Sequence, residues 1–196
     1  MRTLASVSEQ DRVRWEERYR SRPTPDVTAI ELPEVFAPYE DLFPSSGKAL
    51  DLACGSGVVS VWLARRGLDV WGVDISETAI AQARELAVRA GVGERCRFDV
   101  FDLDSGLPAG PAVDVVVCHK FRDARLDQPI IERLTPGGWL AISALSIVGA
   151  GPGPYRVEPG ELTSSFAQLE VIAAGEGGGE AWLVARNRCD LGSRQA

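Results

Sequence analysis

The chain has 196 residues, 45% apolar and 25% charged, which suits one globular domain with a sizeable core and excludes extended disorder. Its formal net charge is -7, and an acidic surface repels phosphate backbones, so nucleic acid is a poor partner. Four Cys and a single His, with no C-x-x-C pair, leave no zinc set.

Cys54, Cys96, Cys118 and Cys189 read as reduced thiols of a cytoplasmic protein. The first residues lack the apolar core of a secretory signal. The longest apolar stretch, GGWLAISALSIVGAG, is too short and Gly-rich to span a bilayer, so no membrane partner is expected.

Residues 9–21 read as a helix with Trp15 and Tyr19 four apart on one face. A second helix is expected over 33–42, with Pro33 in its first turn. KALDLA, from Lys48, is a short buried strand, and Gly55 to Gly67 is helical. LDVWGVD is the second strand. The helix after it has Ser76 as N-cap, Glu77 in its first turn and Gly91 as its stop. CRFDVFD and VDVVVC hold the third and fourth strands. ARLDQPIIERL is a helix carrying Pro129, and GGWLAISAL is the fifth strand. GAGPGPY, 149–155, reads as a mobile loop. PGELTSSF is a short helix, LEVIAA and AWLVARN are strands joined by a GEGGGE loop, and the tail RNRCDLGSRQA frays. Apolar strands alternating with helices indicate an α/β fold, a parallel sheet covered on both faces. The last two strands form an antiparallel hairpin at one edge.

The first strand ends at DLACGSG, residues 51–57. Ligands of open α/β sheets bind outside the carboxyl ends of the strands. Gly55 and Gly57 permit close approach of a ligand to bare backbone, and the next helix offers free N–H groups. Asp51 narrows the choice of ligand. A carboxylate here repels a pyrophosphate and attracts an amino-acid ammonium. The dinucleotide pattern G-x-G-x-x-G also fails, since Ser60 stands where its last Gly or Ala belongs.

DLACGSG resembles the first motif of class I S-adenosylmethionine-dependent methyltransferases, with Ala53 replacing the first Gly of that motif. GVDIS resembles the second, FDVFDLD the third, VDVVVCHKF the fourth, and LTPGGWLAI the turn into the fifth strand. WEERY near the start and YRVEPGEL late in the chain are similar to the tellurite-resistance and thiopurine methyltransferases. The resemblance implies a Rossmann-like three-layer sandwich, a seven-stranded sheet in the order 3-2-1-4-5-7-6, in one domain over 1–196. A helical lid over 1–44 would cover a core over 45–190. It implies S-adenosylmethionine as cofactor, held by Asp51, Ala53, Gly55, Ser56 and Gly57 at the amino-acid end. Asp74 would bind the ribose hydroxyls, Asp102 and Leu103 would touch the adenine, and Ile75, Cys118, Trp15 and Tyr19 would complete the seat. The function implied is methyl transfer to an oxygen, sulfur or nitrogen of a small molecule, leaving S-adenosylhomocysteine. The competing readings are a nucleotide-dependent oxidoreductase and a non-catalytic S-adenosylmethionine-binding module.

Several residues carry two readings. Asp74 either binds ribose or caps the helix from Ser76, and Asp102 either meets adenine or sits in a solvated turn. Trp15 and Tyr19 either cover the ligand, where aromatic faces attract a sulfonium, or fill core. His119 follows the fourth strand directly and is either a structural imidazole or a general base for the acceptor. Lys120, Arg122 and Arg125 form a solvated face or, turned inward with Arg156, hold an anionic substrate. Phe121 and Tyr155 are candidate substrate walls.

Overall fold

The computed structural model describes residues 5–153 and 155–188. Cys189 and the tail lie outside the described residues. The strands are β1 (Lys48–Leu52), β2 (Asp69–Asp74), β3 (Cys96–Val100), β4 (Val113–Cys118), β5 (Leu134–Ser146), β6 (Arg156–Val157), β7 (Glu170–Gly177) and β8 (Glu180–Arg186). The helices are α1 (Ala5–Arg20), α2 (Val58–Arg66), α3 (Glu77–Arg89), α4 (Asp127–Arg133) and α5 (Glu161–Ser165). The sheet runs β3-β2-β1-β4-β5-β8-β7, and the two-residue β6 attaches to β5. Setting β6 aside leaves the expected order; the eighth strand is an addition. β8 is antiparallel to both β5 and β7.

The central strands are buried along almost their whole length because both faces are covered. Leu50, Leu52, Val116, Leu140 and Ile142 pack on one face with Ile130 of α4 and Leu162 of α5. Ala49, Val115, Val117 and Ala141 pack on the other with Leu63 of α2 and Phe36 of the N-terminal segment. The side chains along β1 and β4 therefore alternate, and Asp51 falls on the α2 face. Ser76 caps α3 as its sequence predicts, accepting from the Ala79 N–H at 3.1 Å.

Two expectations change. The helix expected over 33–42 is a turn followed by a 3₁₀ helix, Ala37–Leu42. Pro38 lacks the N–H that an α-helix over that span requires. The GEGGGE segment is no loop: β7 runs to Gly177, and Gly178–Gly179 alone turn the chain, at φ 59° and 85°. Paired positive φ values match the twist of a two-residue hairpin, and glycine adopts them without strain. Among the described residues no helix is long and apolar enough to cross a membrane.

Candidate active site

Strand register sets the site. Asp51 lies beside Gly72 and Val117, Leu52 beside Cys118, and Asp74 beside Val100. The carboxyl ends of β1, β2 and β4 thus form one rim. Off that rim the chain turns at Ala53, Gly55 and Gly57, with φ of 52°, 54° and 80°. Ala53 holds a left-handed conformation that a glycine would take more easily. A Cβ on Gly57 would stand 2.6 Å from the Ala83 Cβ and 3.0 Å from its Cα. The turn is therefore seated directly on α3.

Two buried carboxyl groups flank the turn. Asp51 is 3% exposed and Asp74 6%. Ser60 Oγ, one turn into α2, donates to Asp51 Oδ2 at 2.5 Å. The Gly55 N–H donates to Asp74 Oδ2 and the Ser76 N–H to Asp74 Oδ1, both at 2.9 Å. Asp74 so ties the glycine turn to the start of α3, which matches the capping alternative of its two readings. Burial pushes Asp51 up to about 7, the Ser60 bond opposes this, and the Asp74 charge adds to it. Burial raises Asp74 too, against its backbone hydrogen bonds. The donors that meet these acids are neutral, so a cationic ligand group suits the place. Cys54, beside them, is held well above its usual thiol range by burial and then by Asp51 and Asp74, and is inert.

Helix α1 closes over this rim. Glu16 accepts from Ser76 Oγ at 2.6 Å, from Thr78 Oγ1 at 2.5 Å and from the Thr78 N–H at 3.2 Å. A carboxylate here meets the positive end of α3. Burial raises Glu16, but the Ser76 and Thr78 bonds prevail and hold it at about 2. Gln82 donates to the carbonyls of Tyr19 and Arg22 at 3.1 and 2.8 Å. The Tyr19 hydroxyl reaches Gly55, where an added Cβ would meet it at 2.5 Å. Trp15 lies 6.4 Å from Tyr19 between ring centroids and is flanked by the Arg14 and Arg18 guanidiniums. Ile75 is half-buried and lines a cleft of about 280 Å³ between α1 and the start of α3. No motif in the sequence singles out Glu16. Its partners lie 60 and 62 positions away, beyond any local pattern. Glu16→Gln should loosen α1, with faster hydrogen exchange over residues 11–20 and a stability loss of about 1–3 kcal/mol; unchanged exchange there would remove Glu16 from this role.

Asp102 opens a 3₁₀ turn, Leu103–Ser105, and accepts from the Asp104 N–H at 2.9 Å; Leu103 is buried beneath it. Ser56 is half-buried on the glycine turn.

At the end of β4, Cys118 is buried, with its Sγ 3.5 Å from the Phe121 carbonyl. His119 packs edge-on against Phe36, centroids 6.1 Å apart. Lys120 holds φ 57°, and its N–H donates to the buried Ser143 Oγ at 3.1 Å. Glu180 of β8 faces both, 3.6 Å from His119 Nε2 and 3.2 Å from Lys120 Nζ. Phe121 packs on the core beneath. Tyr155 donates to Asp11 of α1 at 3.2 Å, and the Arg14 guanidinium lies over its ring, so Tyr155 meets α1.

Two expected substrate residues are engaged elsewhere. The Arg122 side chain is 7% exposed and binds Asp127 through both oxygens, with Glu161 at 3.3 Å and Ser165 at 3.0 Å. It is neither a solvated charge nor open to an anion: it clamps α4 to α5. Arg156 donates to the carbonyl of Ser146 at 2.6 Å and pins the end of β5. Arg125 is exposed and bound to Asp123 and Asp104.

A family described as "Methyltransferase domain" matches residues 49–138. A thiopurine S-methyltransferase of Legionella pneumophila is 30% identical over 152 residues, which cover 66% of this chain and 68% of that protein. A ribosomal RNA small subunit methyltransferase C of Alcanivorax borkumensis is 39% identical over 107 residues, 48% of this chain and 31% of that protein. The chain thus spans under a third of that relative's length. Among solved structures, TehB from Haemophilus influenzae superposes with a TM-score of 0.72 at 19% identity, covering 89% of this chain and 67% of that one.

Proposed function

The chain belongs to the class I S-adenosylmethionine-dependent methyltransferases, and on that premise we propose that it methylates an oxygen, sulfur or nitrogen of a small molecule in the cytoplasm. The observation that carries this is the glycine turn between two buried acids at the carboxyl ends of β1 and β2. Asp51 would meet the ammonium of S-adenosylmethionine, and the turn's backbone at Gly55, Ser56 and Gly57 its amino-acid end. Asp74 keeps lone pairs for the ribose hydroxyls. Ile75, Asp102 and Leu103 would line the base, with Trp15, Tyr19 and Cys118 closing the seat. The bound cofactor supplies a methyl group on a sulfonium, which is electrophilic without further activation.

The chain's own contribution is alignment and exclusion of water. Holding two reactants in near-attack geometry is worth about 7–11 kcal/mol at best. Helix α1 covers the rim, and Tyr155 packs on α1 through Asp11 and Arg14. His119 directly follows β4, whose carboxyl end belongs to the same rim, and this supports reading it as a residue that the acceptor would meet. Burial and the Lys120 charge lower its pKa, and Glu180 opposes them. The imidazole is therefore neutral near pH 7 and able to take a proton from a hydroxyl or thiol. Phe121 and Tyr155 are the walls on offer to an apolar acceptor. The ribosomal relatives raise RNA as a second acceptor, but a net charge of -7 opposes a polyanion.

The test is turnover. Purified protein is incubated with S-adenosylmethionine and a panel of thiols, phenols, carboxylic acids and amines, with RNA as a further arm, and S-adenosylhomocysteine is followed. Product with a member of the small-molecule panel, reduced about 100-fold or more in His119→Ala for an acceptor that must lose a proton, is expected. Cofactor binding without turnover on any arm would mark a non-catalytic binding module, and turnover on RNA alone would overturn the small-molecule acceptor.

A further inference from the structure

The geometry points to Glu180 as the positioning residue of His119: its carboxylate holds the imidazole Nε2–H and leaves Nδ1 free to take the acceptor's proton. The inference rests on the reading of His119 as the general base. Glu180 lies in the C-terminal hairpin, outside the residues that match the methyltransferase family, 49–138.

Three observations carry it. First, Glu180 Oε1 is buried without a hydrogen-bond partner. A buried carboxylate oxygen left unpaired is costly, and such sites call for a donor. The His119 Nε2 stands 3.6 Å from that same oxygen, while the other oxygen meets Lys120 Nζ at 3.2 Å. A small rotation of the imidazole closes the gap to hydrogen-bond length. Second, both partners sit on fixed elements. Glu180 opens β8 and pairs with Leu145 of β5. The turn before it is anchored where the Gly179 N–H donates to Val148 O at 2.8 Å and the Ser146 N–H to Gly179 O at 2.8 Å. On the other side, Ser143 holds the Lys120 N–H, and Phe36 packs on the His119 ring. Third, Lys120 adopts φ 57°, a left-handed conformation that strains a non-glycine residue. Strain of this kind collects at functional sites and persists where the surroundings hold it. Here it turns the chain sharply after β4, so that consecutive side chains, His119 and Lys120, both reach Glu180.

In the reaction the acceptor heteroatom forms a bond to the methyl carbon as the carbon–sulfur bond breaks, and that bond's electron pair goes to sulfur. The heteroatom's proton passes to His119 Nδ1. Glu180 then stabilises the imidazolium through Nε2–H, as a carboxylate behind a histidine does in other hydrogen-bonded pairs. The charged groups that act on His119 are Lys120 and Glu180.

His119 is the single histidine of the chain, so its ring can be followed by NMR in untagged protein without assignment. Expected are the Nε2–H tautomer in the parent protein and a mixed tautomer in Glu180→Gln. The His119 titration midpoint should fall in Glu180→Gln and rise in Lys120→Met. For an acceptor that must lose a proton, Glu180→Gln should lower kcat/KM about tenfold or more and move its acid limb to lower pH, and Glu180→Asp should recover part of the loss. An unchanged tautomer and midpoint in Glu180→Gln would overturn the pairing. A shifted tautomer with full turnover in His119→Ala would uphold the pairing and overturn the base assignment instead.

Discussion

Asp51→Asn should make the ligand-free protein more stable at pH 8 and a weaker binder of S-adenosylmethionine. Asp51 is buried, and burial lifts its carboxyl to about 7. In the unfolded chain it titrates near 3.9. Between those values the folded state holds a proton that the unfolded state has released. Stability therefore falls as pH rises from about 4 to 7 and levels off above 7. The penalty at pH 8 is of the order of 2–4 kcal/mol. Asn keeps the acceptor for Ser60 Oγ but carries no charge, so it removes the penalty. Melting temperature should rise in the variant at pH 8 and stay near the parent's at pH 4.5. The gain comes with a loss of function: the ammonium loses its counter-charge, and affinity should fall about tenfold or more. Calorimetry at pH 8 reads both effects. Equal melting temperatures at pH 8 would show that the Asp51 charge carries no penalty in the free protein, and unchanged affinity would show that it opposes no cation in the bound one.

Gly57→Ala should be among the most damaging single substitutions in the chain. The position holds φ 80°, and a Cβ would press on the Ala83 Cβ at 2.6 Å and its Cα at 3.0 Å. The left-handed conformation costs about 1–2 kcal/mol for alanine. Overpacking against a helix backbone adds about 1–3 kcal/mol. A destabilisation of about 2–5 kcal/mol follows, read as a shift of the denaturation midpoint. The turn must also move off α3, which displaces the backbone proposed to receive the cofactor, so binding should fail even where the variant folds. Gly55→Ala makes the contrast. Its Cβ meets the Tyr19 hydroxyl, the far end of a side chain that can swing away. The smaller loss should fall on the seating of α1. A Gly57→Ala variant as stable as the parent would refute the close seating of the turn on α3.

The fold was legible because its determinants are local or periodic. Buried strands read as apolar runs, Ser76 reads as a cap, and acid, small residues and glycine after the first strand mark the turn. The helix expected over 33–42 fails at Pro38, which has no N–H to donate. The hairpin was foreseen, but GEGGGE was too rich in glycine to show that Gly178 and Gly179 alone turn the chain. Side-chain partnerships were not legible. Arg122 looked like a free cation because Glu161 and Ser165 lie 39 and 43 positions away. Glu16 carries no local signal because Ser76 and Thr78 lie 60 and 62 positions away. Glu180 opens a strand like any solvated acid until β5 and β8 bring it to His119. Such pairings depend on strand order, which alternation of elements does not determine.

The most direct test of the central claim is a crystal structure of the complex with S-adenosylhomocysteine. The ligand's amino-acid end should lie on the backbone of Gly55 to Gly57, its ammonium within about 4 Å of the Asp51 carboxylate, and its ribose on Asp74. A ligand bound away from that turn, with Asp51 facing no cation, would contradict the account.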